Sequence, residues 1–207
     1  PRAMYGEPHA PEVGDRKTMG NSIKYVSRAT GEPQAFAPPP WAMEFPACSD
    51  FAPGRHPRLG GDIGWQWMIE LGGNRDTYAD AEEIRDDLLR LVFGIWDHVK
   101  NGAPDERDGS DPFDASHWAL DWIGFLPGKR ESRRFIGQHV LTEQDLMTSR
   151  EFPDAIAYGG WSIDLHPPEG VDAADQEPCE QHPLPWLFDI PLRACVSRDI
   201  PNLMFAG

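Results

Sequence analysis

The stretch DAEEIRDDLLRLVFGIWDHVK, residues 80–100, decides the fold reading. Ile84, Leu88, Leu91, Val92, Ile95, Trp96 and Val99 recur with the 3.6-residue period of an amphipathic helix. Acidic residues crowd its first turns, where the helix dipole favours negative charge, and Asp80 with Glu83 has the spacing of a capping box. Asn101-Gly102 then predicts a left-handed stop. A helix with one apolar stripe must bury it, and the flanking segments read as strands. Ile63, Trp65, Trp67, Ile69 and Leu71 alternate on one face, with Gln66, Met68 and Glu70 on the other. Residues 22–28 have strand composition and end before Gly31 and Pro33. The prediction is an α+β fold, a mixed or mostly antiparallel sheet covered by one long helix.

Outward from this centre, residues 35–57 are broken by prolines and read as an extended loop packed by Trp41 and Phe45. Residues 118–126 are apolar on both faces and suggest a central strand or a short buried helix, with strand or turn preferred, while Thr142 with Asp145 marks a short helix start. Residues 155–166 alternate as a strand, with Trp161, Ile163 and Leu165 on one face and Ser162, Asp164 and His166 on the other. Residues 187–196 and 203–206 supply the last strands. Residues 1–21 read as connecting chain, 22–199 as one domain, and 200–207 as the start of a further strand and turn.

Composition narrows the function. The 207 residues carry 19 Lys and Arg against 34 Asp and Glu, a net charge of −15, so the counterion-release term that drives nucleic-acid binding is missing. The longest apolar runs fall far short of the roughly 20 residues that span a bilayer. The expectation is therefore no nucleic-acid and no membrane partner. Cys48, Cys179 and Cys195 form no C-x-x-C pair, and no metal site is expected; a disulfide such as Cys179 with Cys195 stays open. Compartment is not legible.

Three constellations could carry chemistry. Lys129, Arg130, Arg133 and Arg134 are four cations within six residues, suited to a carboxylate or phosphate, with a solvated edge as the alternative. Ser162, Asp164 and His166 cannot form a triad on one strand, because i and i+2 side chains stand about 7 Å apart. They could line a cleft in which His166 gives or takes a proton near neutral pH. Gly159-Gly160 before Trp161 would let a flat ligand or another backbone lie close.

Together WMIELGG (67–73), EIRDDLLR (83–90), WDHVKN (96–101), PGKRESRR (127–134), AYGGWSIDLHP (157–167) and NLMFAG (202–207) resemble the FAD-dependent oxidoreductase family of bacterial flavoproteins. The resemblance implies FAD as cofactor and hydride transfer between an organic substrate and the flavin. It also implies a Rossmann-type G-x-G-x-x-G unit, which this sequence lacks, so the chain reads as a fragment that binds FAD weakly or not at all without the remaining part of its own chain. Under that reading His166 is the candidate acid/base and Asp164 its orienter or a pocket wall. Arg130, Arg133, Arg134, Tyr158 and Trp161 would meet a small substrate, anionic or sugar-derived. Gly159, Gly160, Ala206 and Gly207 would approach the cofactor. The rival readings are a carbohydrate- or ligand-binding module, from the eight Trp, and a metal-dependent hydrolase using Asp164 and His166.

Overall fold

The computed structural model describes residues 2–52, 54–57, 69–102 and 115–206. In chain order its elements are α1 (Arg2–Tyr5), β1 (Asn21–Ser22), β2 (Tyr25–Ala29), β3 (Glu70–Leu71), α2 (Ala81–Asn101), β4 (Trp118–Ile123), α3 (Glu143–Met147), β5 (Ala155–Gly159), β6 (Ile163–Leu165), β7 (Glu180–His182), β8 (Phe188–Pro191) and α4 (Leu192–Cys195). Single 3-10 turns lie at Cys48–Asp50 and Gly170–Asp172. Mixed helices and antiparallel strands make the chain α+β.

The expectation of one sheet needs correction. Among the described residues the strands form four separate two-stranded antiparallel sheets, β1 with β3, β2 with β4, β5 with β8 and β6 with β7. Glycine and proline cut the strands short, and among the described residues none exceeds six residues. The strand expected over 155–166 is split by Gly160, Trp161 and Ser162 into β5 and β6. Of the strand expected over 63–71, residues 63–68 lie outside the described residues. Residues 187–196 end in the helix α4, and Met204 makes only an isolated bridge to Val196. The three cysteines carry no disulfide. Among the described residues no helix is long and apolar enough to cross a membrane.

The chain divides into two compact units. One, here the helix unit, comprises Lys17–Ser132 and His166–Cys179; the other, the hairpin unit, comprises Pro1–Arg16, Arg133–Leu165 and Glu180–Gly207.

The core of the helix unit follows the sequence period. Ile84, Leu88, Leu91, Val92, Ile95 and Trp96 of α2 pack with Ile23, Tyr25, Ile69 and Leu71. Trp96 meets Tyr25 edge-to-face at 5.9 Å, a favoured aromatic geometry. Burial pushes the Tyr25 phenol above its ordinary pKa. The 35–57 loop runs over α2 and is stitched to it by Met43 N–H donating to the Arg90 carbonyl at 3.1 Å. Trp41 packs edge-on against Phe93, and Phe45 stacks on Phe51.

Both helix ends depart from expectation. Asp80 makes no side-chain cap; its Oδ2 accepts from Asp76 N–H at 3.1 Å, because a tight 76–80 turn draws it away from the helix. Gly102 is extended (φ −66°, ψ 158°) rather than left-handed, and its N–H donates to the His98 carbonyl.

In the hairpin unit, β5 pairs with β8 and β6 with β7. The capping box at α3 forms as its spacing predicts: Thr142 Oγ1 accepts from Asp145 N–H at 3.3 Å and Asp145 Oδ2 accepts from Thr142 N–H at 3.1 Å.

Candidate functional site

In the helix unit, β3 carries a carboxylate into the interior. Alternation sets Glu70 on the polar face, opposite Ile69 and Leu71, yet Ile69, Glu70 and Leu71 are 1%, 1% and 6% exposed. The second face is covered because the 166–173 segment packs onto it. Gly170 lies so close that a Cβ there would stand 2.1 Å from the Glu70 carbonyl oxygen.

A buried carboxylate stays ionised only if it is paired and hydrogen-bonded. Glu70 has two such partners. Arg130 Nη1 donates to Oε1, and His166 Nδ1 lies 2.9 Å from Oε2. The His166 side chain is 5% exposed and that of Arg130 29%. A carboxylate bound by a guanidinium acts as acceptor, so His166 carries its proton on Nδ1. In the neutral ring Nε2 is then the basic nitrogen. This carboxylate–imidazole pair can hold or move one proton.

A buried cation stands nearby. Arg55 is 4% exposed, and burial lowers its pKa while the negative charge of Glu70 works against the shift. Arg55 lines a cavity of about 170 Å³ whose walls include Met43, Phe45, Phe51, Ile69 and Leu91. Asp172 faces the same cavity, its carboxyl pushed up by burial and by the charge of Asp87. The volume is below the roughly 300–1,000 Å³ of drug-sized ligand sites and suits a small organic molecule.

The predicted site residues are distributed over both units. The four-cation run is divided after Ser132: Lys129 and Arg130 belong to the helix unit, Arg133 and Arg134, both exposed, to the hairpin unit. Lys129 sits over the Tyr78 ring at 4.9 Å. Asp164 and His166 likewise fall in different units. Asp164 accepts from Trp161 Nε1 at 3.3 Å. Tyr158 and Trp161 are 73% and 72% exposed. The close approach expected at Gly159 and Gly160 is made by the chain itself, since added Cβ atoms would stand 2.4 Å from the Phe188 ring and 2.5 Å from Leu187. Ala206 is exposed, and Gly207 lies outside the described residues.

Sequence reasoning missed Glu70 and Arg55. For Glu70 a signal existed: one carboxylate between Ile69 and Leu71, directly before Gly72-Gly73. For Arg55, in a proline-rich loop, there was none.

Compared with known proteins, residues 4–207 match a family model described as FAD dependent oxidoreductase. No curated protein and no solved structure matches the chain.

Proposed function

Since the chain belongs to the FAD dependent oxidoreductase family, we propose that it forms the substrate-side part of such an enzyme, with His166 as the group that takes or gives the substrate's proton. FAD is the cofactor the family implies and supplies the redox chemistry. The described residues do not fit its dinucleotide portion. Their strand pairs are all antiparallel, whereas a pyrophosphate cradle is built on a parallel β-α-β turn, and the space above Gly159 and Gly160 is filled by Phe188 and Leu187.

What the chain's own residues contribute is proton handling and binding. The observation that carries the proposal is the buried Glu70–His166 pair at 2.9 Å. Glu70 sets the tautomer and ring orientation of His166, and Arg130 holds the other Glu70 oxygen. Arg55, in the small cavity, gives an apolar substrate with a carboxylate end a charged partner, and Arg133 and Arg134 are further candidates for an anionic group. The overall reaction proposed is hydride transfer between an organic substrate and FAD.

The test uses the flavin-loaded full-length enzyme of which this chain is proposed to be the substrate-side part, with a panel of small carboxylic acids as reductants. His166→Gln slows flavin reduction by about 10²-fold or more, the usual worth of a general acid/base, and removes one limb of the pH–rate profile without a matching loss of flavin affinity. Unchanged reduction kinetics would take His166 out of the mechanism.

A second reading rests on a different observation. Tyr158, Trp161 and Trp186 of the hairpin unit are 73%, 72% and 74% exposed, as rings that stack on sugars are. Oligosaccharides that shift tryptophan fluorescence in the parent protein but not in Trp161→Ala would favour carbohydrate recognition; no shift in either would remove it.

A further inference from the structure

We propose that Cys48, His56 and His98 form a binding site for a divalent cation of the zinc type. These residues are far apart in sequence and carry no diagnostic spacing. Cys48 opens the 3-10 turn Cys48–Asp50, His56 follows the turn closed by Arg55 N–H donating to the Ala52 carbonyl, and His98 sits in the last turn of α2. All belong to the helix unit.

The geometry points to a metal. Cys48 Sγ lies 3.7 Å from His98 Nε2, His98 Nε2 lies 3.3 Å from His56 Nε2, and the three ligand atoms are all within 4.8 Å of one another. Zinc bonds of about 2.05 Å to nitrogen and 2.3 Å to sulfur, set at tetrahedral angles, give N···N and S···N edges of about 3.3 and 3.6 Å. Two edges of a tetrahedral site are thus already drawn. His98 Nδ1 donates to the Phe45 carbonyl at 2.7 Å, and a carbonyl can only accept. The proton is therefore on Nδ1 and the Nε2 lone pair points into the cluster, the outer-shell arrangement that metal-bound histidines use. Phe51 packs edge-on against both imidazoles, at 4.8 Å from His98 and 5.3 Å from His56, and keeps that side dry.

One thiolate and two imidazoles select zinc-type ions over calcium or magnesium, which take oxygen ligands. Cys48 and His98 are buried and His56 half-buried, and three protein ligands leave the fourth position of a tetrahedral ion to an exchangeable ligand. The ion would clasp the 35–57 loop to α2 and brace Phe45 and Phe51, two walls of the small cavity. This site does not depend on the oxidoreductase proposal.

The experiment is titration of chelator-stripped, purified protein with Co²⁺ and then Zn²⁺, read as difference spectra against the metal-free protein. The expected result is one equivalent of Co²⁺ giving a thiolate-to-metal charge-transfer band and tetrahedral d–d absorption, both abolished by Zn²⁺. Cys48→Ser loses the charge-transfer band, and His56→Gln weakens Zn²⁺ binding tenfold or more. His56 is half-buried in a loop, so His56→Gln decides the matter if Cys48→Ser does not fold, with circular dichroism confirming the folded state. A folded parent that gives no thiolate band, or a His56→Gln protein that binds as the parent does, overturns the proposal. None of these signals requires flavin or substrate.

Discussion

Glu70 Oε2 and His166 Nδ1 lie 2.9 Å apart, with 1% and 5% of their side chains exposed. The pair joins β3 to a segment 96 residues later in the chain, and Arg130 holds the other carboxylate oxygen. Removing Glu70 leaves the buried His166 Nδ1–H without its acceptor and Arg130 without its carboxylate. Glu70→Leu should therefore cost about 1–3 kcal/mol, and Glu70→Gln, which keeps shape and some hydrogen bonding, less than Glu70→Leu. Urea unfolding measures both; equal stability of Glu70→Leu and the parent would refute the pairing.

Gly94 tests packing against propensity. Alanine is favoured over glycine inside a helix by about 1 kcal/mol, so propensity alone predicts that Gly94→Ala stabilises. A Cβ at Gly94 would, however, stand 2.2 Å from the Met43 carbonyl oxygen, where the 35–57 loop crosses α2. Overpacking of this kind costs about 1–3 kcal/mol. The expected net result is a lower melting temperature, and a higher one would mean that the loop yields.

Asp154 gives a pH dependence with a definite sign. Its pKa is lowered from 3.8 to about 2, first by the side-chain hydrogen bonds of Arg193, whose Nε and Nη2 donate at 2.9 and 3.0 Å. The folded-state value lies below the unfolded one, so this pair's contribution to stability is present above about pH 4 and is lost as pH falls toward 2. In Arg193→Gln the carboxylate should titrate near its ordinary value. Carboxyl chemical shifts followed by NMR would show it, and an unmoved titration would assign the shift to another cause.

Thr142→Ala should fray α3. Loss of an N-cap of this type costs about 0.5–2 kcal/mol. Burial pushes the Asp145 carboxyl up, but hydrogen bonds from Arg150 and Thr142 outweigh it and hold it below the usual carboxylate range. The substitution should raise that pKa and speed exchange of the Asp145 amide hydrogen, with little change in the amides of α2.

Local rules read well wherever a hydrogen bond or a burial stripe spans only a few residues. The period of Ile84, Leu88, Leu91 and Ile95 located α2 within a residue at each end, and Thr142-x-x-Asp145 located α3. The same rules misjudged Asp80, since an Asp80 side chain engaged by the preceding turn looks identical in sequence to one that caps. They also overextended the strands. Alternation continues through Gly160, while the hydrogen-bond ladder stops at Gly159 and resumes at Ile163.

The sequence by itself determined the α+β class, the main helix, the packed 35–57 loop and the family motifs, because each rests on neighbours along the chain. Only the tertiary structure decided that the strands make four small sheets, that Glu70 is buried beside His166 and Arg130, and that Cys48 and His56 meet His98. The reason is physical: helix periodicity is a property of backbone geometry within a few turns, whereas a buried ion pair or ligand cluster depends on which distant segments close over one another. That closure is settled by the packing of the whole core and leaves no fixed spacing in the sequence.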